Sequence, residues 1–239
     1  MLTNRRVLVV GASSGIGRAT AVKFAREGAR VMASARRHER LSQLQEELAK
    51  EGHEIAIHAA NAASRKELEA LHQATVAAIG EVEILVYSTG TNTPHRSMKG
   101  LAPEIWDEML AVNLTGAYHL SRLVLPAMRE AGAGHLIYIS SISGLYTDVS
   151  GPAYQASKRG MLGVANAIRL EEKESGIRTC VVCPGLVDTE ILDKRLVKPG
   201  PDVLAKALQA EDVAESVLFV ARQPARVAIP LLEIVPTAV

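Results

Sequence analysis

Short runs of apolar residues alternate along the chain with longer stretches in which apolar residues recur every three or four positions. The short runs are rich in Val, Ile and Leu and are too apolar for half-exposed hairpins, so they are typical of strands buried on both faces of a parallel sheet. They predict six strands, at Val7–Val10, Arg30–Ser34, Glu54–His58, Ile84–Tyr87, His135–Ile139 and Arg178–Val182.

The longer stretches predict helices, and Ser64 and Glu67 have the spacing of a capping box at the start of the third helix. The repeated alternation of strand and helix indicates a doubly wound α/β fold, with helices on both faces of the sheet. A chain of 239 residues that is 48% hydrophobic suits a single domain over residues 1–239. The helices are predicted at Gly15–Glu27, Arg40–Lys50, Ser64–Ile79, Pro103–Ala111, Leu114–Arg129, Ala153–Glu174 and Glu211–Ala221.

The segment Asp188–Ala210 does not follow this pattern. It loses the apolar period and contains Lys194, Arg195 and a Pro-Gly-Pro sequence. Because long excursions inside a compact domain usually serve a function, we predict a flap that covers the substrate at about residues 188–210.

The charge balance is nearly neutral, with 27 Lys and Arg residues against 26 Asp and Glu residues. It gives no electrostatic reason to expect nucleic acid or an anionic membrane as a partner. The apolar run Val7–Val10 is too short for a signal peptide, and no run approaches the roughly 20 residues of a membrane span. We therefore expect a cytoplasmic protein.

The two cysteines, Cys180 and Cys183, form a Cys-x-x-Cys sequence of the kind found in redox and metal sites. Here they fall in a predicted strand, where residues three apart point to opposite faces and lie about 10 Å apart, too far for a disulfide. No second cysteine pair and no helical histidine pair completes a zinc site. We interpret both cysteines as buried strand residues and predict no metal site.

The first predicted strand runs directly into the sequence Gly-Ala-Ser-Ser-Gly-Ile-Gly at positions 11–17, and a helix follows. Glycine lets the backbone turn sharply and approach a ligand closely, and a helix N-terminus offers N–H groups to a pyrophosphate. We expect Gly11 to make the turn, Gly15 to approach the phosphate and Gly17 to pack the helix on the strand. The predicted dinucleotide site comprises Gly11, Ser13, Ser14, Gly15, Ile16 and Gly17.

The Gly-x-x-x-Gly-x-Gly spacing resembles that of the short-chain dehydrogenase/reductase family, and the resemblance extends over nearly the whole chain. It implies a Rossmann-type, mostly parallel sheet of seven strands and hydride transfer between a nicotinamide cofactor and a carbonyl or alcohol. It also implies a homodimer or homotetramer assembled through the helices Leu114–Arg129 and Ala153–Glu174. The second helix carries more apolar residues than one core contact needs, which favours association.

The end of the second strand lacks the acidic residue that would bind a free ribose 2′-hydroxyl. Ala35 stands where NAD-preferring family members carry Asp, and Arg36 and Arg37 follow it. Because a guanidinium binds a phosphate dianion well, we predict NADP(H) as the cofactor. The resemblance implies further cofactor contacts at Asn61, Ala62, Gly90, Pro184, Gly185, Val187 and Thr189, as well as at Tyr154 and Lys158.

Tyr154 and Lys158 are four positions apart in a predicted helix, so both side chains lie on one face. With Ser141 and Asn113 they match the family's Asn–Ser–Tyr–Lys tetrad in order and spacing. The resemblance implies that Tyr154 is the acid and base, that Ser141 polarises the substrate oxygen, and that Asn113 supports a proton relay. Lys158 is expected to bind the ribose and to lower the pKa of Tyr154. The neighbouring Ser140 points the other way in a strand, and the spacing to tyrosine selects Ser141.

The substrate pocket is expected to be lined by residues 91–95, 143–146 and 186–196, which combine few fixed charges with the apolar residues Leu145, Tyr146, Leu186, Ile191 and Leu192. They favour a small or medium-sized apolar carbonyl compound, although Lys194 and Arg195 could steer a carboxylate or acyl-carrier substrate. Two other functions stay open at this point. One is an NAD-dependent alcohol or sugar dehydrogenase, and the other is a nucleotide-sensing protein without catalysis.

Overall fold

Seven strands form one sheet in which every neighbouring pair is parallel. The computed structural model describes residues 2–238. The strands are β1 (Arg6–Val10), β2 (Arg30–Ala35), β3 (Ile55–Ala59), β4 (Ile84–Tyr87), β5 (Gly134–Ile139), β6 (Ile177–Pro184) and β7 (Leu231–Ile234), in the order β3-β2-β1-β4-β5-β6-β7. The predicted doubly wound fold is confirmed. The apolar runs missed β7 because it lies at the sheet edge, where Leu231 and Glu233 are exposed.

Helices cover both faces of the sheet. Phe24, Leu44 and Val217 belong to the core on one face, whereas Leu71, Leu120 and Met161 belong to the core on the other. The helices are α1 (Gly15–Arg26), α2 (His38–Lys50), α3 (Arg65–Ile79), α4 (Pro103–Leu110), α5 (Gly116–Ala131), α6 (Pro152–Glu171), α7 (Pro201–Leu204) and α8 (Ala210–Ala221). Each predicted helix is present within a few residues of its expected ends.

The two cysteines confirm the strand interpretation of the Cys-x-x-Cys sequence. Both lie in β6, are buried and are free thiols. Cys180 packs into the core on the α1 side of the sheet, and Cys183 packs into the core on the other side. Since the sheet separates their side chains, they do not form a disulfide.

Half of the predicted capping box at α3 is wrong. The Ser64 hydroxyl accepts a hydrogen bond from the Glu67 N–H at 3.3 Å, as expected, but the Glu67 carboxylate accepts from the N–H of Asn61 at 2.8 Å. The N–H of Ser64 is already bonded to the Asn61 carbonyl at 2.9 Å and needs no side-chain partner. Glu67 therefore fixes Asn61 at the end of β3.

The strand order reverses between β1 and β4, which start the two halves of the sheet. In doubly wound sheets this reversal opens a crevice at the carboxyl ends of the strands, where ligands bind. Among residues 2–238 we find no helix with the length and apolar content to cross a membrane.

Candidate active site

A cleft of about 460 Å³ opens at the carboxyl ends of the strands, within the usual size of small-ligand sites. It contains every residue predicted for cofactor binding and three of the four predicted catalytic residues. The cleft is lined by Gly11, Ser13, Ser14, Gly15, Ile16, Gly17, Arg36, Arg37, Asn61, Ala62, Gly90, Ser141, Tyr154, Lys158, Pro184, Gly185, Val187 and Thr189. The fourth catalytic candidate, Asn113, does not line the cleft.

The turn between β1 and α1 has the close backbone packing that its glycines allow. Gly11 has φ +95°, and a Cβ on Gly17 would lie 2.2 Å from the Gly11 carbonyl oxygen. Ser14 caps α1 with an extended backbone but makes no capping bond within the described structure. Its hydroxyl accepts from Arg37 Nη2 at 2.8 Å instead. The N–H groups of the first turn therefore stay available to an anion, as a pyrophosphate site requires.

Two arginines after β2 meet this turn. Arg37 donates from Nη2 to the Ser13 hydroxyl at 2.9 Å and from Nη1 to the Glu190 carboxylate at 3.0 Å. Arg40, in the first turn of α2, pairs with the same carboxylate. Arg40 was not predicted as a site residue, and Glu190 was expected only as part of the substrate-lining residues 186–196. The three-residue spacing from Arg37 to Arg40, close to one helical turn, was the available signal for Arg40.

Asn113 holds the loop after β4 rather than facing the cleft. It is fully buried in a π-helical turn, Ala111–Thr115. Its Oδ1 accepts from the Thr91 N–H at 2.8 Å, and its Nδ2 donates to the Thr91 carbonyl at 3.0 Å and to Ser157 Oγ at 3.1 Å. The side chain thus places Gly90 and Thr91 beside Lys158. Its proton relay stays a prediction.

Ser141, Tyr154 and Lys158 line the same cleft, and Tyr154 forms a hydrogen bond with Ser141. Lys158 Nζ donates to the Ile139 carbonyl at 2.9 Å and lies 5.6 Å from the centre of the Tyr154 ring. A Cβ on Gly90 would come within 3.3 Å of this nitrogen, so glycine keeps the space open. The Ser140 hydroxyl donates to the Lys158 carbonyl at 2.9 Å and holds α6 in place.

Lys158 was expected to lower the pKa of Tyr154, but the groups of the protein alone do not lower this pKa. Burial raises the pKa of the phenol above its ordinary value of 10.0, and a hydrogen bond with Ser141 only partly opposes this. Burial also lowers the pKa of Lys158 to about 8. Tyr154 is therefore held in its protonated form at neutral pH, as a proton donor needs to be.

The chain matches the family model for short chain dehydrogenases over residues 5–200. It belongs to the short-chain dehydrogenase family. It is 34% identical to a glycine betaine reductase of Emericella nidulans over 98% of this chain, and it spans only 19% of the length of that relative. A metagenomic short-chain oxidoreductase in complex with NADP is similar over 100% of this chain and 99% of its own, with 31% identity and a TM-score of 0.86. The closed form of a serine dehydrogenase complexed with NADP+ shows 32% identity and a TM-score of 0.86 over 95% and 93% of the two chains.

In this short-chain dehydrogenase the end of the cleft where the substrate is expected, called the substrate end below, is more polar than predicted. The three expected segments contribute, but Leu145 packs against the core, and Tyr146 is exposed and donates to Glu233 at 3.0 Å. Both residues were expected to form an apolar wall. Charged side chains from three segments also line the cleft: Arg96 after β4, Asp148 after β5, and Lys194 and Arg195 in residues 188–210.

Among the residues that the structure describes, the acidic member of this set accepts hydrogen bonds, whereas its cations form no ion pair. The Asp148 carboxylate accepts from the hydroxyl of Ser143 and from the N–H of Ser150 at 2.9 Å. Within residues 2–238, no carboxylate forms an ion pair with Arg96, Lys194 or Arg195. The substrate end therefore offers cations to an anionic group.

Proposed function

We propose that this short-chain dehydrogenase interconverts a carbonyl compound and its alcohol with NADP(H). The observation that carries the proposal is the meeting of Ser141, Tyr154 and Lys158 in the same cleft as the glycine turn. The NADP complexes of similar enzymes and the position of Arg36 and Arg37 on the cleft wall support the cofactor. We further propose that residues 188–210 act as a flap on a single domain.

When bound, the nicotinamide supplies or accepts the hydride. In reduction, the Tyr154 hydroxyl donates its proton to the substrate oxygen, and its raised pKa keeps that proton in place beforehand. Ser141 donates a hydrogen bond to the same oxygen and stabilises the charge that develops there. Lys158 binds the ribose hydroxyls and returns a proton to Tyr154, and Asn113 supports this relay.

The test compares Tyr154→Phe with Tyr146→Phe, a matched change at an exposed tyrosine outside the cleft. With a panel of ketones, aldehydes and 3-oxoacyl thioesters, NADPH oxidation should fall at least about 100-fold in the first variant, because a general acid contributes roughly that much or more. NADPH affinity should stay within about twofold. Substantial turnover by Tyr154→Phe would refute the assignment. Faster turnover by the unaltered protein with NADH, or none with any substrate, would favour the NAD-dependent or the nucleotide-sensing alternative.

We also propose that the substrate bears a carboxylate. Arg96, Lys194 and Arg195 line the substrate end without an ion-pair partner in the described chain, and Arg195 lies close enough to Tyr154 to act on its pKa. The names of two relatives point the same way, since serine and glycine betaine both carry a carboxylate.

Arg195→Gln should raise KM about tenfold or more for an oxo acid and leave KM for its methyl ester unchanged, because a hydrogen bond to a charged group contributes roughly 1.5–3 kcal/mol. Lys198→Gln is the control, since Lys198 lies on the same segment and pairs with Asp193. An equal effect on acid and ester would contradict the carboxylate assignment.

Self-association through α5 and α6 is part of the proposal. Fewer apolar residues of α6 are left for an interface than expected, because Met161, Ala165 and Ile168 are buried in the core. Tyr118 on α5 and Leu170 on α6 remain 44% and 59% exposed. Light scattering after size exclusion should give the mass of a dimer or tetramer, and a monomer at micromolar concentration would count against this. The cytoplasmic location stays a prediction.

A further inference from the structure

The carboxylate of Glu190 lies between two guanidinium groups beside the phosphate-binding turn. Its Oε2 accepts from Arg37 Nη1 at 3.0 Å, and its Oε1 accepts from Arg40 Nη1. Arg37 also donates from Nε and Nη2 to the Ser13 hydroxyl at 3.2 and 2.9 Å. Two cations and the serine hydroxyls of the turn therefore form an anion site, and a side chain of the protein occupies it.

Glu190 belongs to the segment predicted as a flap. It begins the 3₁₀ helix Glu190–Lys194, and the two ends of the segment are joined where Val187 pairs with Leu208. Within the described residues, Glu190 forms the only ion pairs between residues 188–210 and the rest of the chain. Among the described residues, Glu190 is thus the ionic link between the flap and the cofactor cleft.

The two ion pairs of Glu190 are weak enough for a ligand anion to replace its carboxylate. The side chains of Arg37, Arg40 and Glu190 are 43%, 41% and 48% exposed, and ion pairs this exposed contribute little. A phosphate monoester carries nearly two negative charges and three acceptor oxygens, so it competes well for the same guanidiniums. A ribose 2′-hydroxyl carries no charge and does not compete.

We propose that Glu190 is an internal substitute for the cofactor's 2′-phosphate, and that binding of this phosphate to Arg37 and Arg40 displaces Glu190 and releases the flap. This inference rests on the proposed use of NADP(H). It assigns two residues, Arg40 and Glu190, to cofactor discrimination. It also makes the flap respond to NADP(H) and not to NAD(H), because only the phosphate displaces the carboxylate.

The binding test uses adenosine 2′,5′-bisphosphate and 5′-AMP, which differ only in the 2′-phosphate and need no turnover. Glu190→Gln removes the competing charge and should tighten the bisphosphate about three- to tenfold by calorimetry, as expected for release of two exposed ion pairs. The affinity for 5′-AMP should change less than about twofold. Asp193→Asn is the control. It removes the same charge from the same helix, but the Asp193 carboxylate pairs with Lys198 and not with the arginines, so the change should leave both affinities unchanged.

The flap test uses trypsin, which cleaves after Lys194 and Arg195. The bisphosphate should speed this cleavage in the unaltered protein, and 5′-AMP should not. In Glu190→Gln, cleavage should be fast without any ligand and insensitive to the bisphosphate.

The outcomes separate the two proposals. If the unaltered protein binds the bisphosphate no better than 5′-AMP, the NADP(H) proposal fails and this inference fails with it. If it prefers the bisphosphate but Glu190→Gln gains no affinity, or gains it equally for 5′-AMP or in Asp193→Asn, the inference alone is overturned.

Discussion

Replacing Lys158 by Met should change the pH dependence of stability in a way that reports the burial of its ammonium. Lys158 is 3% exposed, and burial lowers its pKa from 10.5 to about 8. The folded state therefore binds the proton less tightly than the unfolded state does. Stability from this group is fully present above pH 10.5 and is lost as pH falls through about 8. A shift of this size costs the folded protein about 3 kcal/mol at pH 7.

The variant also loses the bond from Nζ to the Ile139 carbonyl, which costs roughly 1–3 kcal/mol at every pH. At pH 7 the two effects oppose each other, so Lys158→Met should be as stable as the unaltered protein or up to about 2 kcal/mol more stable. From pH 7 to pH 10 the unaltered protein should gain about 2.5 kcal/mol relative to the variant.

The assay is urea unfolding, followed by circular dichroism at intervals from pH 7 to pH 10. Groups that titrate in both proteins cancel in the difference. Lys66→Met is the control, because Lys66 is exposed on α3 and its ammonium stays in water. The reasoning would be refuted if the free energies of unfolding of Lys158→Met and the unaltered protein differed by a constant amount over this range. Lys158→Met should lose activity whatever its stability.

Two further predictions concern the frame of the site. His135 is buried with both ring nitrogens lacking a partner in the described residues, and burial lowers its pKa to about 3. Its contribution to stability is present above pH 6.5 and is lost as pH falls. Between pH 7 and pH 5 the free energy of unfolding of the unaltered protein should therefore fall by about 2 kcal/mol more than that of His135→Leu, as measured by urea unfolding. Gly17→Ala places a Cβ 2.2 Å from the Gly11 carbonyl oxygen, so it should weaken NADPH binding more than about tenfold and lower the melting temperature. The control Gly163→Ala meets no atom within 4 Å in α6 and should be neutral or stabilising; equal effects of the two changes would contradict this argument.

The sequence was sufficient for features that arise from neighbouring residues. The strands β1 to β6 were readable because strands buried on both faces consist of continuous apolar runs, whereas the half-exposed edge strand β7 gave no such run. The glycine turn and the Tyr154–Lys158 pair were readable for the same reason, since a strand-to-helix turn and one helical face are short-range arrangements.

Only the tertiary structure decided which distant groups meet and how deeply they are buried. Glu190 pairs with Arg37 although 153 positions separate them, and no local pattern marks that contact. The pKa of Tyr154 rises because many elements of the fold together remove water from the phenol. The presence of Lys158 four positions along the chain does not predict this rise. Local order along the chain follows from backbone geometry and apolar spacing, but charge pairing and desolvation depend on the packing of the whole molecule.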